Sequence, residues 1–102
     1  MKSILVVDDD PSTLKLFASA LGAIAKVTTA DGGEAALQLL AQNAYDALVL
    51  DLHMPQVDGH AVLDALGDPK AKNHTTPVYV ATAEDSTEAR VKAMRRGRVL
   101  FV

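Results

Sequence analysis

The chain has no cysteine, which excludes a disulfide framework and any thiolate metal site. It also has no long apolar run. The first one, Ile4-Leu5-Val6-Val7, is too short for the core of a signal peptide. None approaches the roughly 20 residues that cross a bilayer as a helix. There is no excess of positive charge. Lys plus Arg number 10 against 13 Asp plus Glu, a net charge of −3, which disfavours general binding to nucleic acid or anionic membranes. Low-complexity tracts and internal repeats are missing as well. A chain of 102 residues with no linker reads as one small domain, 1–102. These absences together lead to the expectation of a cytoplasmic protein with no direct nucleic-acid or membrane partner.

What is present is a strict alternation of short apolar runs and helical patterns. Asp10-Pro11 looks like an N-cap followed by proline at the first helical position. Leu14, Phe17, Ala18 and Leu21 then repeat at helical spacing, and Gly22 suits the stop. Residues 26–29 read as a weak strand. Asp31 to Glu34 resembles a capping box ahead of a helix with Leu37, Leu40, Ala41 and Ala44 as its expected buried stripe. A strand at 47–50 follows, then a short helix opened by Asp58-Gly59 with Val62, Leu63 and Leu66 facing inward. Residues 68–76 read as a polar loop. Pro77 introduces a strand that ends at Thr82, residues 86–96 read as a helix, and 99–102 as a last strand. The order β-α-β-α-β-α-β-α-β predicts a doubly wound, parallel α/β sheet.

The most informative residues are acidic. Asp8 and Asp9 follow the run 4–7, and Asp51 follows Leu48-Val49-Leu50. Groups at the carboxyl ends of such strands converge, because open α/β sheets bind ligands there. Carboxylates gathered that closely repel unless a cation joins them. A divalent metal beside a nucleophilic aspartate is the simplest reading. Asp10, next in line, is better suited to cap the first helix.

Three segments together resemble the receiver domain of two-component response regulators. They are Ile4-Leu-Val-Val-Asp-Asp-Asp-Pro11, Leu48-Val-Leu-Asp-Leu-His-Met-Pro55 with Asp58-Gly59, and Pro77-Val-Tyr-Val-Ala-Thr-Ala83. Order and spacing match across essentially the whole chain. The resemblance implies a flavodoxin-like five-stranded sheet in the order 2-1-3-4-5. It makes Asp51 the phosphoryl acceptor, with Mg²⁺ held by Asp8, Asp9, Asp51 and the backbone carbonyl of His53. Thr82 would hydrogen-bond the phosphoryl group, and Phe101 aligns with the family's aromatic switch residue. The donor would be a phosphohistidine on a histidine kinase or histidine phosphotransfer protein. The module would not be an enzyme beyond its own phosphorylation and dephosphorylation.

The chain departs from the family pattern near its end. The family's phosphate-binding lysine would fall two places past Val102, and no other lysine matches it. The fifth helix is missing too, so the sequence reads as a shortened receiver. A homodimer is therefore expected, formed through the sheet face that helix would cover or through the last strand. Two other readings compete. One is a degenerate receiver acting as a non-phosphorylated interaction module. The other is a haloacid-dehalogenase-type phosphohydrolase, faintly matched by Asp8-Asp9-Asp10 and Thr82. The basic residues Arg90, Lys92, Arg95, Arg96 and Arg98 read as a solvated helix end. The three histidines, His53, His60 and His74, have no metal-ligand spacing and are expected at the surface.

Overall fold

The computed structural model describes residues 1–52, 54 and 56–80, and the strand backbone of 99–101. His53, Thr82, the helix expected at 86–96 with its basic residues, and the Phe101 side chain lie outside the described residues.

Among the described residues, eight elements follow in order: β1 (Lys2–Val7), α1 (Pro11–Leu21), β2 (Ala25–Ala30), α2 (Gly33–Gln42), β3 (Ala47–Leu50), α3 (Gly59–Leu66), β4 (Val78–Val80) and β5 (Val99–Phe101). The strands form one parallel sheet in the order β2-β1-β3-β4-β5. This is the doubly wound fold expected from the alternation of elements. The step from β1 to β2 runs one way across the sheet and the step from β2 to β3 runs the other. Right-handed crossovers therefore place α1 and α2 on opposite faces.

Register sorts the sheet residues into two layers. Leu5, Leu48 and Val78 lie side by side, as do Val7, Leu50 and Val80. All six are buried and belong to one core cluster with Ala36 and Leu40 of α2 and Val62, Leu63 and Leu66 of α3. The alternate layer holds Ile4, Val6, Ala47, Val49 and Tyr79. Of these only Val6 is fully buried. On that face, α1 is the helix among the described residues, and none of its residues is fully buried. Leu14, Phe17, Ala18 and Leu21 are half-buried. The period-2 pattern of strands thus meets a filled core on one side and a thin cover on the other.

Two details of the helices differ from expectation. The buried residues of α2 are Gly33, Ala36 and Leu40, whereas Ala41 and Ala44 are exposed and Leu37 is half-buried. The helix is turned so that the face carrying Gly33, Ala36 and Leu40 meets the core. Nor is there a capping box: the N-cap is Gly32, with no side-chain hydrogen bond to the cap. The reason is packing. A Cβ on Gly33 would stand 2.1 Å from the Val57 carbonyl oxygen, so the start of α2 presses against the loop before α3.

Residues 68–76 are more than a polar loop. Asn73 is 1% exposed. Its Nδ2 donates to the carbonyls of Leu40 (2.8 Å) and Asn43 (2.7 Å), which belong to the end of α2. Its Oδ1 accepts the Tyr45 amide at 2.8 Å. The Thr76 hydroxyl lies 3.0 Å from that same Oδ1 and 3.2 Å from the Tyr45 carbonyl, and its single proton serves one at a time. One side chain therefore closes the C-terminus of α2 and fixes the approach to β3.

Candidate functional site

The acidic site is assembled by register. Val7 is paired with Leu50, so the next residues, Asp8 and Asp51, come side by side. The ladder continues into them: the Asp51 amide donates to the Val7 carbonyl at 3.0 Å, and the Asp8 amide to that of Ala30 at 3.1 Å. Adjacent strands lie about 4.8 Å apart. A carboxylate oxygen from each of Asp8, Asp9 and Asp51 falls within 4.8 Å of the others. The sequence expectation that these three converge at the strand ends matches this geometry.

Their environments differ. Asp8 is 9% exposed, Asp51 is half-buried, and Asp9 is exposed. Burial holds the Asp8 carboxyl above the ordinary carboxylate range. The Asp10 amide, which donates to Asp8 Oδ1 at 2.9 Å, draws it back. The charges of Asp51 and Asp9 push it up again. Three carboxylates this close, one of them desolvated, could hold a cation. Oxygen-only donors suit a hard ion such as Mg²⁺.

Asp10 takes no part in that cluster. Its Oδ1 accepts the Ser12 amide at 2.9 Å, and its Oδ2 accepts the Thr13 hydroxyl at 3.1 Å. It is the N-cap of α1.

The loop after Asp51 is held from two sides. Asp58 caps α3, its carboxylate accepting the Ala61 amide at 3.1 Å. The Gly59 amide donates to the Leu52 carbonyl at 3.1 Å. A Cβ on Gly59 would stand 2.5 Å from the Asp51 carbonyl oxygen and 2.6 Å from the Leu52 Cα. The glycine allows close approach of α3 to the end of β3 and the residues after it, a packing role within the helix. The turn itself passes through Gln56, whose φ of 63° lies in the left-handed region, a conformation that costs an L-residue roughly 1–2 kcal/mol.

The other residues singled out in the sequence fall elsewhere. Phe101 contributes its backbone to β5, paired with Val80. His60 is half-buried, and its Nδ1 is buried with no hydrogen-bond partner among the described residues. His74 is exposed, with Nδ1 2.8 Å from the Leu66 carbonyl. Asn73, Gly33 and the packing role of Gly59 escaped the sequence reading. Their partners are distant in the chain, and no local pattern marks them. No helix among the described residues is long and apolar enough to cross a membrane.

Comparison with known proteins agrees with this geometry. PrrA, a transcriptional regulatory protein of Mycobacterium tuberculosis, is 38% identical over 95 residues, covering 92% of this chain and 40% of PrrA. The chain thus spans less than half the length of that relative. The solved receiver domain of the Francisella response regulator 1452 superposes with a TM-score of 0.84 at 32% identity, covering 99% of this chain and 84% of that one. The response regulator TrrA of Thermotoga maritima, solved in complex with Mg(2+)-BeF, gives a TM-score of 0.83 at 29% identity, covering 100% of this chain and 86% of that one. These likenesses give no support to the phosphohydrolase reading, which also left Asp51 unused. The model of the response regulator receiver domain matches residues 4–102, and the chain belongs to that family.

Proposed function

We propose that this chain is a phospho-accepting module of a two-component relay, with Asp51 as the acceptor. The observation that carries the reading is the convergence of Asp8, Asp9 and Asp51 within 4.8 Å at the carboxyl edge of the sheet. A carboxylate oxygen of Asp51 attacks the phosphorus of a phosphohistidine. The P–O bond forms as the P–N bond breaks, and the imidazole leaves with the electron pair. The product is an acyl phosphate, a recognised covalent intermediate.

Asp8, Asp9 and Asp51 would hold Mg²⁺, with the His53 carbonyl as a further ligand implied by the family resemblance. The ion, when bound, neutralises charge on the phosphoryl oxygens, the main requirement of phosphoryl transfer. The chain's own contribution is positioning. Gly59 and Asp58 seat α3 against the acceptor strand, and the Asp10 amide orients Asp8. The roles of Thr82 as a phosphate hydrogen-bond donor and Phe101 as a switch rest on the family resemblance. So do the cytoplasmic location, the histidine kinase or phosphotransfer partner, and the absence of turnover on a separate substrate. The thin cover over Ile4, Val49 and Tyr79 supports a homodimer through that face or through the edge strand β5.

Acetyl phosphate with Mg²⁺ tests the acceptor. Intact-mass analysis is expected to show one phosphoryl adduct that disappears in Asp51→Asn. An adduct surviving in that variant would place the acceptor elsewhere. No adduct in the native chain would favour a non-phosphorylated interaction module.

A further inference from the structure

A second surface lies at the opposite end of the sheet from the acidic site. The helices run antiparallel to the strands, so the C-terminal turns of α2 and α3 meet near the starts of β3 and β4. Between them is an open groove of about 540 Å³, within the range of ligand-binding clefts. Half-buried Leu37 supplies apolar surface on one wall, and the edges of the core residues Leu40 and Leu66, 5% and 8% exposed, form its floor. Ala41 and Ala65, both exposed, line it from α2 and α3. Asn73 lines it as well, but its side chain is already hydrogen-bonded to the chain around it.

Charge at the groove is one-sided. Among the described residues, Lys70 and Lys72 line it and no Asp or Glu does, although the whole chain is acidic at −3. Asp68 lies just outside, its carboxylate accepting the Lys70 amide at 2.9 Å. Both lysines are exposed, and among the described residues neither has an ion-pair partner. The walls are α2, α3 and the 70–73 loop, and among the described residues no strand lines the groove to which an extended peptide could add. Recognition must run through side chains. Alanines on both walls let a helix backbone come close, while the leucines accept its apolar residues.

We propose that this groove docks an amphipathic helix of a partner, apolar toward Leu37, Leu40 and Leu66 and acidic where it meets Lys70 and Lys72. The surface is separate from the acceptor site, and its occupation does not require phosphorylation.

The test uses two designed peptides with leucines at i, i+3, i+4 and i+7, one flanked by glutamates and the other by lysines. The acidic peptide is expected to bind, to shift the amide resonances of residues 37–41 and 65–73, and to weaken with added salt. The double variant Lys70→Glu/Lys72→Glu should lose at least tenfold in affinity. Ala65→Arg, a change at an exposed position, should also block binding. Labelling of Asp51 by acetyl phosphate should be unchanged in both variants, which separates failure here from failure of the acceptor assignment. Equal binding of the two peptides, or shifts confined to other residues, would overturn the proposal. So would saturation of the groove by laurate with no response to the acidic peptide, which would make it a site for a small amphiphile.

Discussion

The Oδ1 of Asn73 accepts the backbone amide of Tyr45 at 2.8 Å across 28 residues of sequence. The same side chain donates to the Leu40 and Asn43 carbonyls. Helix C-termini leave carbonyls without intrahelical partners, and α2 has a side chain from a distant loop to satisfy them. Removing it strands a buried amide and two carbonyls, each worth about 1–3 kcal/mol when unsatisfied. Asn73→Ala is expected to cost about 3 kcal/mol or more in denaturant unfolding. Asn73→Asp should be at least as harmful, because it sets a carboxylate against two carbonyl oxygens. A loss under about 1 kcal/mol for the alanine variant would mean that water replaces the side chain.

Gly59 and Gly33 should tolerate no side chain. Gly59→Ala forces α3 away from the backbone of Asp51 and Leu52, with an expected cost of about 1–3 kcal/mol. It should also slow labelling of Asp51 by acetyl phosphate. Gly33→Ala meets the Val57 carbonyl and should lose comparable stability with a smaller effect on labelling. Near-native melting of both would show that the loops carrying Asp51 and Val57 move aside easily.

Asp9 and Asp10 are neighbours with different work. Asp9→Ala is expected to weaken Mg²⁺ binding while leaving metal-free stability nearly intact. Asp10→Ala removes the cap of α1 and should cost about 1 kcal/mol with little change in metal affinity. Titration with Mg²⁺ and thermal melts on both variants distinguish the roles. Equal metal affinity in the two would refute the division.

Burial, with the charges of Asp51 and Asp9, disfavours the ionised form of the Asp8 carboxyl. Asp8→Asn keeps an oxygen for the Asp10 amide and removes a desolvated charge beside two carboxylates. Its metal-free melting temperature should rise. In the native chain, Mg²⁺ at a hundred times its dissociation constant should stabilise by about 2.7 kcal/mol, and the variant should lose most of that gain. A variant that melts lower without metal would show that the carboxylates are not repelling one another.

The α1 face makes a prediction about assembly. Ile4, Val49 and Tyr79 are only half-buried, and Leu16 and Ile24 are 68% and 71% exposed. Sedimentation at micromolar concentration is expected to show a dimer. A clean monomer across that range would mean that the half-covered face is stable in water by itself.

Local rules carried much of the architecture. Strand runs ending in acids, the cap at Asp10, the cap at Asp58 and the inward face of α3 could all be read from spacing, because each depends on residues within a turn or two. The alternation of elements then determined the winding of the sheet. The carboxylates were legible as a group since parallel strands must end together. Other features were decided only in three dimensions. The distance between Asp8 and Asp51 follows from the register of β1 on β3. The rotation of α2 follows from Gly33 meeting Val57, which replaced an expected capping box with close contact. The Asn73 latch joins α2, β3 and the loop before β4, three pieces that no periodicity connects. The filled and half-filled faces of the sheet have the same alternating apolar pattern in the sequence. What separates them is which helices reach each face, a matter of long-range packing that local propensity does not encode.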